Sequence, residues 1–147
     1  MRQGREKVEM LVNPIKNGTV LDHITAGRGM ELYRILKLNE LECPVAIITN
    51  AYSLKMDRKD IIKIDGEAPL DLNVIGYVDP GVTVSTIRDG DVAQRIHLKL
   101  PQQITGVIRC KNPRCITSVE QELPHTFRLD DPETRVYRCI YCESRAK

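Results

Sequence analysis

The sequence predicts two unequal parts: a mixed α/β unit over residues 1–100 and a small cysteine-bearing module over residues 101–147. Three observations carry that division. Short β-branched runs alternate with turn signals and one amphipathic helical stretch through the first hundred residues. Four of the five cysteines fall in the last quarter, as two close pairs. Between these regions "LPQQ" at 100–103 breaks the pattern and marks the boundary.

Taken in order, "VEMLV" at 8–12 and "GTVLDHI" at 18–24 read as antiparallel strands around the "KNG" turn. From Gly27 the apolar spacing changes. Met30, Leu32, Tyr33, Ile35 and Leu36 recur at three and four residues, so "RGMELYRILKL" is expected to be an amphipathic helix. "VAIITNAY" after Pro44 and "RKDIIKID" at 58–65 have strand length, and Asp65-Gly66 closes the second. "PLDLNVIGYV" is expected to hold a short helix, although Asn73 and Gly76 are poor helix formers. "GVTVSTI" and "DVAQRIHLKL" flank Arg88-Asp89-Gly90, and Asp-Gly between alternating runs signals a hairpin. In the second arm, period-two alternation places Val92, Ile96 and Leu98 on one face and Arg95, His97 and Lys99 on the other.

The cysteine pattern is Cys110-x4-Cys115-x23-Cys139-x2-Cys142. Four thiolates make a soft, four-coordinate shell that suits tetrahedral zinc. Each pair closes a short loop, with Asn112-Pro113 supplying turn chemistry in the first. The excursion between the pairs has room for a hairpin of "HTFRL" and "RVYRC" around "DDPET". About forty residues rarely bury enough surface to fold unaided, so a metal would also explain how the module folds. With Cys110, Cys115, Cys139 and Cys142 filling every position, no site stays open to water or substrate, and the expected Zn2+ is structural. His125 reads as a surface-loop histidine rather than a spare ligand, and Cys43 as a buried or interface thiol.

Composition excludes several classes. Net charge is +2, with 22 basic and 20 acidic residues, and there is no Trp and one Phe. That balance, and so few rings, argue against a nucleic-acid surface. The charged start "MRQGREKVEM" lacks a signal-peptide core, and no apolar run could span a bilayer. Clustered cysteines then fit a reducing, cytoplasmic setting without membrane contact. No P-loop, nucleophile elbow or dinucleotide fingerprint is present, so the chain does not read as an enzyme. Lys63 alternates with Ile62 and Ile64, and Arg95 precedes Ile96; with Lys59 and His23 they could form a cationic sheet face suited to a phosphorylated ligand. Taken alone, they read better as ordinary solvated strand residues than as a binding face. Asp22 and His23 are adjacent, so a regular strand would point them apart; both can face one ligand only if the strand ends or bulges there.

"GTVLDHI", "DRKDIIKID" and "CKNPRCI…YRCIYC", in that order, resemble the aspartate carbamoyltransferase regulatory chain family from about residue 8 to 143. The resemblance implies a non-catalytic subunit of pyrimidine biosynthesis with an α+β fold. Its amino-terminal antiparallel sheet with two helices, a ferredoxin-like sandwich over residues 1–100, would bind the effectors CTP, UTP and ATP. A small all-β zinc domain over 101–147 would dock on the catalytic chain, and regulatory chains would pair as homodimers. Carried over by position, Val12 and Ile15 would flank the base, Asp22 would hold sugar or base groups, and His23 the phosphates. Val20, Lys59, Ile61, Lys63, Ile87 and Val92 would complete the site.

Four positions depart from the family pattern. Ser85 replaces a common asparagine, Arg95 a phosphate-binding lysine, and Gly90 a bulky tyrosine; Pro14 removes a backbone donor near the base. The rival reading is a zinc-ribbon nucleic-acid-binding protein. It expects a basic stripe, whereas "VEQELP" and "LDDPE" are acidic.

Overall fold

The computed structural model describes residues 15–146; "VEMLV", Val12 and Pro14 lie outside the described residues. Two compact units emerge. One holds the chain up to Asp71 together with Gly81–Leu98, and the other holds Leu72–Pro80 together with the chain from Lys99 onward. The chain therefore passes between units at 71/72, 80/81 and 98/99.

The first unit is built on β1 (Gly18–Thr25), β2 (Val45–Ser53), β3 (Asp57–Ile64), β4 (Thr83–Arg88) and β5 (Asp91–His97). These form one antiparallel sheet in the order β2-β3-β1-β4-β5. Alternation sends Leu21, Ile62, Ile64 and Val84 to one face, where each is at most 4% exposed. Helix α1 (Gly29–Ile35) lies on that face, and its Leu32 is fully buried. The helix is shorter than its apolar spacing suggests. Leu36 caps it, Lys37 turns left-handed at φ 54°, and a 3-10 turn at Leu38–Glu40 returns Leu38 to the core.

The Asp89-Gly90 hairpin forms as expected. Both residues have positive φ, 52° and 84°, which gives the type I′ turn that matches strand twist. The arm beyond it does not keep simple alternation. Ile87 pairs with Val92 but Thr86 pairs with Gln94, so Ala93 is an extra residue in the ladder. That bulge puts Val92 on the same face as Arg95, opposite to Ile96, and corrects the grouping of Val92 with Ile96.

The second unit contains α2 (Leu72–Val78), β6 (Gln103–Thr105), α3 (Ile116–Val119), β7 (Thr126–Asp131) and β8 (Val136–Cys139), with the sheet order β6-β7-β8. Strands β7 and β8 are the hairpin expected between the cysteine pairs. Gly76 has a reason to sit inside α2: a Cβ there would come within 2.5 Å of the Lys99 carbonyl. Tyr77 packs edge-on against Tyr137 at 5.0 Å between ring centroids, and the Tyr137 hydroxyl donates to the Pro101 carbonyl at 2.6 Å. The core around them is small, formed by Ile104, Phe127, Tyr137 and the buried cysteines. Among the described residues, no helix is long and apolar enough to cross a membrane.

Candidate metal centre and charged sheet face

All four paired cysteines converge. The Sγ atoms of Cys110, Cys115, Cys139 and Cys142 lie within 4.8 Å of one another. Cys110 and Cys142 approach to 3.5 Å and Cys115 and Cys139 to 3.6 Å, each pair joining one loop to the other. Bonded disulfide sulfurs sit about 2.05 Å apart, so these are four thiols. Thiolates about 2.3 Å from a tetrahedral zinc have edges of roughly 3.8 Å. The cluster fits one structural zinc ion, and Cys110, Cys115 and Cys139 are at most 8% exposed.

Local turns aim the sulfurs. In the first loop, Asn112 Oδ1 accepts the Arg114 N–H at 3.0 Å and the Asn112 carbonyl accepts the Cys115 N–H at 3.0 Å. Cys115 then caps α3. In the second, the Cys139 carbonyl accepts the Glu143 N–H and the Ser144 carbonyl accepts the Cys139 N–H, both at 2.9 Å. Proton affinities are uneven. Burial pushes the Cys110 thiol up to about 12 and raises Cys139 as well. The Thr117 hydroxyl, 3.0 Å from Cys115 Sγ, holds that thiol below its ordinary value. Burial opposes ionisation of Cys142, but hydrogen bonds from Ser144, Asn112 and Cys110 together outweigh it and bring that thiol down to about 6. His125 stands outside the sulfur cluster, yet it is not a free loop residue: its Nδ1 accepts the Cys110 N–H at 2.9 Å.

On the sheet face away from α1, the register sets Lys63, Val20, Ser85 and Arg95 in one row across β3, β1, β4 and β5. Three strand spacings make that row about 14 Å long. Gly18, Ile87 and Val92 form the next row on one side, and Ile15 approaches Gly18. On the other side, Ile62 follows Leu21 in the ladder but Asp60 follows at Ile24, so Asp22 and His23 together oppose Ile61. This is the bulge that lets adjacent residues serve one face. His23 takes φ 59°, its N–H donates to Asp22 Oδ1 at 2.6 Å, and its Nδ1 lies 3.2 Å from Thr83 Oγ1. Lys59 is on the same face but engaged, with its Nζ 2.9 Å from Asp22 Oδ1. Among the described residues, neither Lys63 nor Arg95 has an ion-pair partner.

Sequence reasoning missed Asp60. This carboxylate is 1% exposed on the α1 side, where Oδ2 accepts the N–H groups of Gly27 and Gly29 and Oδ1 that of Asn50. Its signal was available: an acidic residue between Lys59 and Ile61 falls in phase with Ile62 and Ile64, on the apolar face.

Two family models match the chain. One is the aspartate carbamoyltransferase regulatory chain, allosteric domain, over residues 10–99, and the other the metal binding domain of the same chain over 102–147. The chain belongs to the aspartate carbamoyltransferase regulatory chain family. Regulatory chains of Clostridium acetobutylicum and Clostridium botulinum are 51% and 46% identical to it, each over 91% of this chain and 92% of the relative. That of Bifidobacterium longum is 39% identical over 94% of this chain and 99% of its own length. As a regulatory chain it is a non-catalytic subunit, with an allosteric and a metal-binding domain. The cysteine cluster lies wholly within the span of the metal-binding domain, and the Lys63–Arg95 row within that of the allosteric domain.

Proposed function

We propose that the Lys63–Arg95 face binds a nucleoside triphosphate effector and that the zinc unit carries its influence to the catalytic chain. The register row supports this most directly, since it sets two cations, without acidic partners among the described residues, in line across four strands. Arg95 and His23 take the phosphates and Lys63 the base and ribose, while Ser85 and Val20 line the row between the two cations. Ile15, Ile87 and Val92 supply an apolar edge for the base, with Ile61 opposite the bulge. Asp22 orients Lys59 and takes sugar hydroxyls. CTP, UTP and ATP all fit these requirements, because the charged part is common to them.

In this reading residues 1–100 form the effector domain and 101–147 the zinc domain that docks on the catalytic chain. Two regulatory chains pair through their effector domains, in the cytoplasm. An effector acts only by binding the quaternary states unequally. Zinc fixes the docking surface without taking part in chemistry. Calorimetric titration of CTP and ATP into the full chain, beside Lys63→Ala, tests the site. Saturable heats lost in the variant are expected; equal, weak heats in both would rule this face out.

A further inference from the structure

The two cysteine loops are joined by more than the metal. The peptide of His125 and Thr126, at the start of β7, reaches both. On one side His125 Nδ1 accepts the Cys110 N–H at 2.9 Å; on the other the Thr126 carbonyl accepts the N–H of Ile140 at 3.1 Å, between Cys139 and Cys142. The bar itself is fixed. Thr126 is 4% exposed with its hydroxyl 3.2 Å from that of Thr105, and the His125 carbonyl accepts the Gly106 N–H at 2.9 Å. A main-chain N–H has only a proton to give, so Nδ1 must offer its lone pair and the ring proton must sit on Nε2. Cys110 is the cysteine furthest from regular structure: Cys115 caps α3, and Cys139 ends β8.

We propose that His125 is a positioning residue of the metal centre, which anchors the Cys110 loop to the Cys139–Cys142 loop through Nδ1 and slows release of the ion without ligating it. Groups of this kind set ligand orientation, and their loss costs about ten- to a hundred-fold in metal affinity. Two substitutions separate the acceptor from the bulk of the ring. His125→Asn keeps an oxygen near the Nδ1 position in a smaller side chain; His125→Gln keeps more of the volume but moves the oxygen out toward the Nε2 position.

The experiment uses the full-length chain loaded with zinc, and measures transfer of the metal to excess chelator. Parallel samples loaded with cobalt report the ligand set by their thiolate charge-transfer and d–d absorption. Expected are release about ten- to a hundred-fold faster in His125→Gln, release within a few-fold of wild type in His125→Asn, and an unchanged cobalt spectrum in both. Failure of His125→Gln to load at all, while His125→Asn loads normally, points the same way. Equal release from the two variants, whether fast or slow, overturns the assignment. A cobalt spectrum altered in either variant overturns it too, by making His125 a ligand.

Discussion

Asp60 Oδ2 accepts the N–H of Gly29 at 2.9 Å, and a Cβ on that glycine would meet the same oxygen at 2.8 Å. The first turn of α1 is thus seated directly on a buried carboxylate, which also takes the N–H groups of Gly27 and Asn50. Asparagine at 60 has one acceptor oxygen for three donors, so Asp60→Asn should cost about 1–3 kcal/mol. Gly29→Ala should cost a similar 1–3 kcal/mol through overpacking. The pair should be non-additive, since the groups touch. Urea unfolding of the two variants and the double variant checks all three expectations.

Lys63 and Arg95 should not contribute equally to nucleotide binding. Lys63 is half-buried and Arg95 exposed, so solvent and salt screen the arginine more strongly. Lys63→Ala should weaken CTP and ATP by about ten- to a hundred-fold, and Arg95→Ala by less. Titrations at low and high salt should narrow the difference between wild type and Arg95→Ala first.

Removing zinc should unfold one unit and spare the other, because the core of the second is built on its own cysteines. Hydrogen exchange after chelation should show loss of protection at Phe127 and Tyr137. The amides of Ile75 and Val78 should follow them, since α2 groups with that unit. Protection at Leu21 and Ile62 should remain. Loss at both sets together would show that the units unfold as one.

Burial, reinforced by Tyr77, pushes the Tyr137 hydroxyl from 10.0 up to about 12. The folded state therefore holds this proton more tightly than the unfolded state. The stability it contributes is complete below pH 10 and is lost as pH rises toward about 12. Tyr137→Phe should remove this alkaline loss, while costing about 1 kcal/mol at neutral pH by leaving the Pro101 carbonyl without its donor. Unfolding of the zinc-loaded chain followed across that range distinguishes the two effects.

The sequence made some of this architecture legible for physical reasons. Cysteine spacing announces a metal because thiolates have few other uses in that pattern, and Asp89-Gly90 announces its turn because few other pairs tolerate two positive φ values. Lys59, Ile61 and Lys63 share a face, as period two requires. Bulges escaped for the same reason, since alternation carries no mark of an inserted residue. Ala93 therefore moved Val92 to the other face, and the bulge at Asp22 and His23 could be stated only as a condition. Asp60 and His125 escaped because each acts on main-chain N–H groups distant in sequence, which no local pattern records. The grouping of α2 with the second unit likewise depends on Tyr77 meeting Tyr137, sixty residues further on.

The three passages of the chain between units have a consequence for inheritance. A gene crossover near codon 99 would join the Tyr137 of one parent to the α2 of the other, and so bring together two halves of an aromatic contact that had not diverged side by side. Exchange of the whole second unit requires residues 72–80 to travel with it, which takes two further breaks inside the span of the allosteric domain. Recombination between relatives should therefore preserve linkage between these segments even where the boundary at residues 99–102 looks clean in the sequence.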